Sequence, residues 1–176
     1  MSHNTFPSAE EGVFTQAMRK RLNHNTLDIS TSSADLTATS KTTQVVIPGL
    51  VTDTLEAGYT YQFEAHLKTT QTTNGGLTVE FNTPDTLKLT SIIYETTQNT
   101  ASAIALAQGT TATMGTKLVD NKTAAYLSTH IRGSFIVKVA GKFELTAAQN
   151  TSSTDTTTVH QGSTLRVWCQ ANDTLV

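Results

Sequence analysis

Any chemistry in this chain has to come from a small set of side chains. There are five histidines and one cysteine in 176 residues. His3, His24, His66, His130 and His160 lack the short spacings of a zinc site, both among themselves and with Cys169. His66 and His130 fall in alternating segments, where a surface or partly buried imidazole is the ordinary outcome. Cys169 follows Trp168 in such a segment and reads as an inert buried thiol. The run from Gly109 to Lys117 ends Gly115-Thr116-Lys117 and superficially imitates a phosphate loop. That loop needs Lys directly after Gly and a helix behind it. Here Thr116 intervenes and no helical pattern follows. Glu64 and Glu80 lie in segments that could pair across a turn at Asn74, and two facing carboxylates are the apparatus of a glycosidase. Isolated surface acids are far commoner. No Gly-x-Ser-x-Gly elbow is present. Asn121-Lys122-Thr123 and Asn150-Thr151-Ser152 are formal glycosylation sequons, idle without secretion. Few ionisable groups suit a shell or binding module better than a catalyst. The expectation is therefore no enzyme activity, no cofactor and no metal.

The elements that would position these groups are strands. In residues 58–70, Tyr59, Tyr61, Phe63, Ala65 and Leu67 alternate with Thr60, Gln62, Glu64, His66 and Lys68. That is a strand with one dry and one wet face. Three rings in one row, at ~1.5–3 kcal/mol each when buried, make it the best-anchored strand in the chain. A one-residue slip would expose all of them, so its neighbours are set by it. About one residue in five is threonine. A branched Cβ favours pleated sheet. With only three prolines, a mucin-like stalk is excluded and a β-sandwich remains.

From Lys41 onward the pattern is strand and turn. Gln44 to Ile47 is a strand stopped by Pro48-Gly49. Asn74-Gly75-Gly76 turns the chain into Leu77, Val79 and Phe81. Leu87 to Tyr94 follows, then a polar loop at 96–100, a small-residue strand over 101–107, an indistinct stretch over 109–122, and a strand over 124–131 broken by Gly133. Phe135, Val137 and Val139 pair as a hairpin with Phe143, Leu145 and Ala147 across Ala140-Gly141. A strand leading to Gln161 and the alternation Leu165, Val167, Cys169 complete about nine strands, the spacing of a sandwich or jelly roll.

Upstream, Ser8 with Glu11 forms a capping box, and Val13, Phe14, Ala17, Met18 and Leu22 form one apolar stripe. Arg19, Lys20 and Arg21 complement the C-terminal end of this helix over residues 8–22. The polar run 23–40 reads as a linker. The chain thus divides into an N-terminal arm, 1–40, and a β-domain, 41–176. The arm either docks on its own domain or reaches another subunit. Phe14, Met18, Arg19, Lys20, Arg21 and Leu22 are its candidate partner-binding residues.

Net charge is -2 and charged residues are 15%. Such a chain lacks the clustered basic surface that nucleic acid requires. With one cysteine it forms no internal disulfide, and its polar opening is neither a signal peptide nor a membrane span. Synthesis in a reducing cytoplasm is expected.

Two stretches carry a resemblance. One runs from Leu55 to Thr70 and on through Asn74-Gly75-Gly76 to Phe81. The other runs from Ile131 to Ser152 and on from Thr158 to Trp168. The recurring marks are Ala57-Gly58 before the aromatic row, Gly133 and Phe135 before Ala140-Gly141, Gln149-Asn150, and Gly162-Ser163 before Leu165 and Val167-Trp168. Over residues 41–170 the chain resembles the β-sandwich domain of tailed-bacteriophage virion proteins. Such domains occur in capsid decoration (cement) proteins, head fibres and tail-fibre tips, usually as trimers. The resemblance implies an all-β, antiparallel sandwich or jelly roll preceded by a short helix and an extended arm. It implies a homotrimer on the capsid exterior of the virion that binds the major capsid protein. The alternative is a fibre module binding a host surface glycan, with Trp168 or Tyr126 as its aromatic platform. It supplies no catalytic residue.

Overall fold

A computed structural model describes residues 27–71, 74–99, 104–111, 117–121 and 128–170. The expected helix over 8–22 lies outside these residues. Among them, all regular structure is antiparallel strand, twelve in number, with no helix long and apolar enough to cross a membrane.

The strands form two sheets. The first has the order β1 (Asp28–Thr31), β12 (Thr164–Cys169), β4 (Thr60–Thr70), β9 (Ser128–Val139), β6 (Lys88–Asn99) and β7 (Ile104–Thr111). Two further strands, β2 (Leu36–Thr39) and β11 (Thr156–Val159), join where the end of β4 pairs with β11. The second sheet has the order β3 (Val45–Val51), β10 (Glu144–Ala148), β5 (Leu77–Asn82) and β8 (Lys117–Asn121).

β4 is the centre of the first sheet, held between β12 and β9. Its burial alternates as the sequence requires: Tyr61, Phe63, Ala65 and Leu67 are buried, and Tyr59 packs half-buried beside them. Rings from both sheets meet in the core. Phe63 lies 4.9 Å edge-on from Phe81, Phe81 lies 5.0 Å from Phe143, and Phe143 lies 5.3 Å from Phe135. These edge-to-face geometries place ring edges against negative faces, adding to the gain from burial.

The linker expected over 23–40 contains two strands from Asp28 onward. β1 pairs with β12, and β2 pairs with β11. Both are anchored by backbone bonds and short polar contacts, and β2 also packs Leu36 and Ala38 against the core. Thr37 and Thr39 face Thr158 and Thr156 across the ladder at 3.4 and 3.2 Å between hydroxyls. Pro48-Gly49 does not stop β3. The strand runs through it with Gly49 at φ 83°, and the pairing with β10 shifts between Glu144 and Thr146. Five steps along β3, from Val46 to Val51, are matched by two on β10, from Glu144 to Thr146, and the three surplus residues form an irregularity in the ladder, where a missing proline N–H is tolerated. The polar loop expected at 96–100 is β-strand as far as Asn99, and Gly133 lies inside β9 rather than ending it. The hairpin expected across Ala140-Gly141 does not form. β9 belongs to the first sheet and β10 to the second, so this turn carries the chain across the sandwich.

The Gln149 side chain closes the loop before β11, as its position suggests. It is buried, accepts from the N–H of Lys41 at 3.0 Å and donates to the carbonyl of Asp155 at 2.6 Å.

Candidate functional site

The outer face of the first sheet gathers the polar side chains that alternate with the core. Strand register fixes them in rows. Trp168, Gln62, Ser134 and Ile93 form one row across β12, β4, β9 and β6. Arg166, Glu64, Arg132 and Glu95 form the next, alternating in sign. Thr164, His66, His130 and Thr97 form the third. The first two rows, apart from Arg166, line an open groove of about 750 Å³, with Gln62, Glu64, Ile93, Glu95, Arg132 and Trp168 on its walls. Trp168 is therefore a half-buried wall of a groove, not core. Tyr126 lies outside the described residues, as do Phe14, Met18, Arg19, Lys20, Arg21 and Leu22.

The charges in the middle row are mutually satisfied. Arg132 Nε donates to Glu95 Oε1, and Arg166 Nη1 stands 4.0 Å from Glu64 Oε2. Glu64 Oε1 faces two imidazoles: His130 Nε2 at 2.9 Å and His66 Nε2 at 3.2 Å. The rings stack with centroids 4.1 Å apart and planes 10° apart. Sequence spacing hid this cluster, because 64 positions separate the histidines. The signal was their shared outer-face parity on two strands, and it becomes a contact only once the β4–β9 register pairs His66 with His130.

Partial burial raises the pKa of the Glu64 carboxyl, but hydrogen bonds from His130 and His66 and their charge outweigh that and hold it below the usual carboxylate range. A lowered carboxyl pKa stabilises the fold fully above the unfolded value and ceases to do so as pH falls through the folded value. The stability difference between the wild-type chain and Glu64→Gln should therefore shrink as pH falls below ~4. Urea titrations at stepped pH measure it. A difference that grows in acid would contradict this hydrogen bonding.

The same shift bears on the glycosidase reading. A glycosidase acid needs a raised pKa, and Glu64 is held down. Nor does Glu64 face Glu80 across the Asn74 turn. Glu64 is on the outer face of the first sheet and Glu80 is on the second sheet in β5. Lys117 opens a strand, β8, where a phosphate loop would open a helix. Cys169 is buried among core residues, and burial pushes its thiol pKa up, so it stays protonated and unreactive. His160 is tied to the surface by Asp35 at 3.2 Å and Thr70 at 2.7 Å.

The face also exposes apolar side chains. Ile29 in β1 and Leu27 just before it are 53% and 45% exposed. Ile93 is 58% and Ile136 is 38% exposed. The face can therefore offer an aromatic wall, fixed hydrogen-bonding groups and apolar contact area. No protein-family model matches the chain, and no curated protein matches it.

Proposed function

We propose that the protein is a bacteriophage structural protein, a capsid decoration protein that binds and stabilises the major capsid lattice. The observation that carries this reading is the outer sheet face, where Leu27, Ile29, Ile93 and Ile136 stand exposed among internally paired charges. Exposed apolar side chains set among polar and charged ones are characteristic of protein–protein contact surfaces. The strand order supports the reading as well, since the chain passes between the two sheets at most steps, the wrap of a jelly roll. The resemblance over residues 41–170 points the same way. In this reading the β-domain is a homotrimer on the capsid exterior. Residues 1–26, joined to the sheet at Leu27, extend over neighbouring major capsid subunits through Phe14, Met18, Leu22 and the basic run 19–21. Only the assembled lattice offers the full site, so binding stabilises the shell by mass action.

Sedimentation with bare capsids tests this. The full chain should co-sediment saturably. Deletion of residues 1–26, which spares every described strand, should leave the β circular dichroism unchanged and weaken attachment at least tenfold. Equal occupancy by the shortened chain would refute the arm.

A second reading is favoured by Trp168. An aromatic wall beside Gln62, Glu64, Glu95 and Arg132 is suited to stacking and hydrogen bonding with a host surface glycan. That would make the chain a head-fibre or tail-fibre module. Saturable binding to host polysaccharide that Trp168→Ala abolishes, with no attachment to capsids, would favour it over decoration.

A further inference from the structure

The geometry points to a divalent transition-metal site at Glu64, His66 and His130, of the zinc class. The three offer one carboxylate oxygen and two imidazole nitrogens, all within 4.8 Å of one another. Two imidazoles and a carboxylate suit zinc and its neighbours and do not suit calcium or magnesium, which prefer oxygen donors. Zinc is the best fit, because its filled d-shell imposes no geometry of its own.

The strands around the cluster prepare it. His66 and His130 are paired residues on β4 and β9, the two central strands, so their backbones are fixed by the ladder on both sides. Arg166 stands by Glu64 Oε2, which leaves Oε1 as the oxygen both Nε2 atoms approach. Oε1 and the ring nitrogens are then near enough to one another to become ligands of one ion. The stacked rings do not yet aim their lone pairs at one point, because parallel planes 4.1 Å apart cannot share an in-plane ion. One ring has to rotate. His66 is free to do so, with its side chain 54% exposed against 27% for His130. Binding exchanges the imidazole–carboxylate contacts for metal bonds, each ring ligating as the neutral imidazole. The ion would pin β4 to β9 on the outer face and keep a coordination position open to solvent for water or a donor from a second chain.

This inference does not rest on the capsid reading. A chain that never attaches to capsids can still bind zinc here, and the reverse holds too.

The test is calorimetric titration of the full chain with zinc chloride, repeated with cobalt chloride to read the d–d absorption of the ligand field. The expected result is one ion per chain at this site and a rise in melting temperature with zinc. His66→Ala, His130→Ala and Glu64→Gln should each weaken this binding about tenfold or more. If His130→Ala fails to fold, His66→Ala on the exposed ring carries the same comparison. Absence of zinc binding by the full chain would overturn the site. So would undiminished binding by the folded His66→Ala chain, which would place the ion elsewhere.

Discussion

Phe63→Ala should lower the unfolding free energy by ~3–5 kcal/mol, the range for truncating a large buried ring. Phe63 is 1% exposed and touches the aromatic cluster from the middle of the central strand. Its ring lies 4.9 Å from Phe81 on the second sheet, 6.4 Å from Phe143 just ahead of β10, and 5.9 Å from Phe135 on its own sheet. Removing it opens a cavity where the two layers meet, and strands hydrogen-bonded on both sides cannot close in to fill it. The loss should appear in urea as a lower midpoint with unchanged slope, because the area exposed on unfolding hardly changes. A midpoint equal to that of the wild-type chain would show that this row does not face the core.

Gly133→Ala should also destabilise strongly, against the direction of intrinsic preference. Alanine in place of glycine inside a regular element ordinarily gains ~0.5–1 kcal/mol from reduced chain entropy. At Gly133 a Cβ would overlap the carbonyl oxygen of Ile93 and come within 2.8 Å of Tyr94 Cα and 2.9 Å of Phe63 Cε1. Two of these three atoms are backbone of β6, paired residue by residue with β9 over this stretch. They can move only if the ladder moves. The overpacking cost of ~1–3 kcal/mol is therefore a lower bound, and it exceeds the entropic gain. Thermal unfolding measures the sign directly. A raised melting temperature would mean that β6 and β9 are not so close at this point.

Gly133 also shows what the sequence could and could not convey. Glycine in a strand pattern signals either an ending or a close approach of another backbone, and only the neighbouring strand decides which. The alternation in β4 was legible because burial is one-sided and period two, and it survives intact. Asp28–Thr31 and Leu36–Thr39 were not legible. They carry few apolar side chains, and what fixes them is the unpaired edge of β12 and β11, which no local pattern encodes. Ala140-Gly141 resembled a hairpin turn because the apolar rows on either side have the same period. Rows of equal period can lie in one sheet or face each other across two, and here they face each other. The histidine cluster belongs to the same class of hidden facts. Parity put His66 and His130 on wet faces, and register made them neighbours. Trp168 differs again, since the wet parity of its position in β12 was readable, while the groove beside it needed β4, β6 and β9 together.

The role proposed for this chain is attachment to a capsid lattice as an assembled β-domain. The most direct test is electron microscopy of bare tailed-phage capsids after addition of the purified full chain. Discrete trimeric density repeating at equivalent lattice positions on the outer surface is the predicted image. Capsids that remain bare at saturating concentration of folded chain would contradict it.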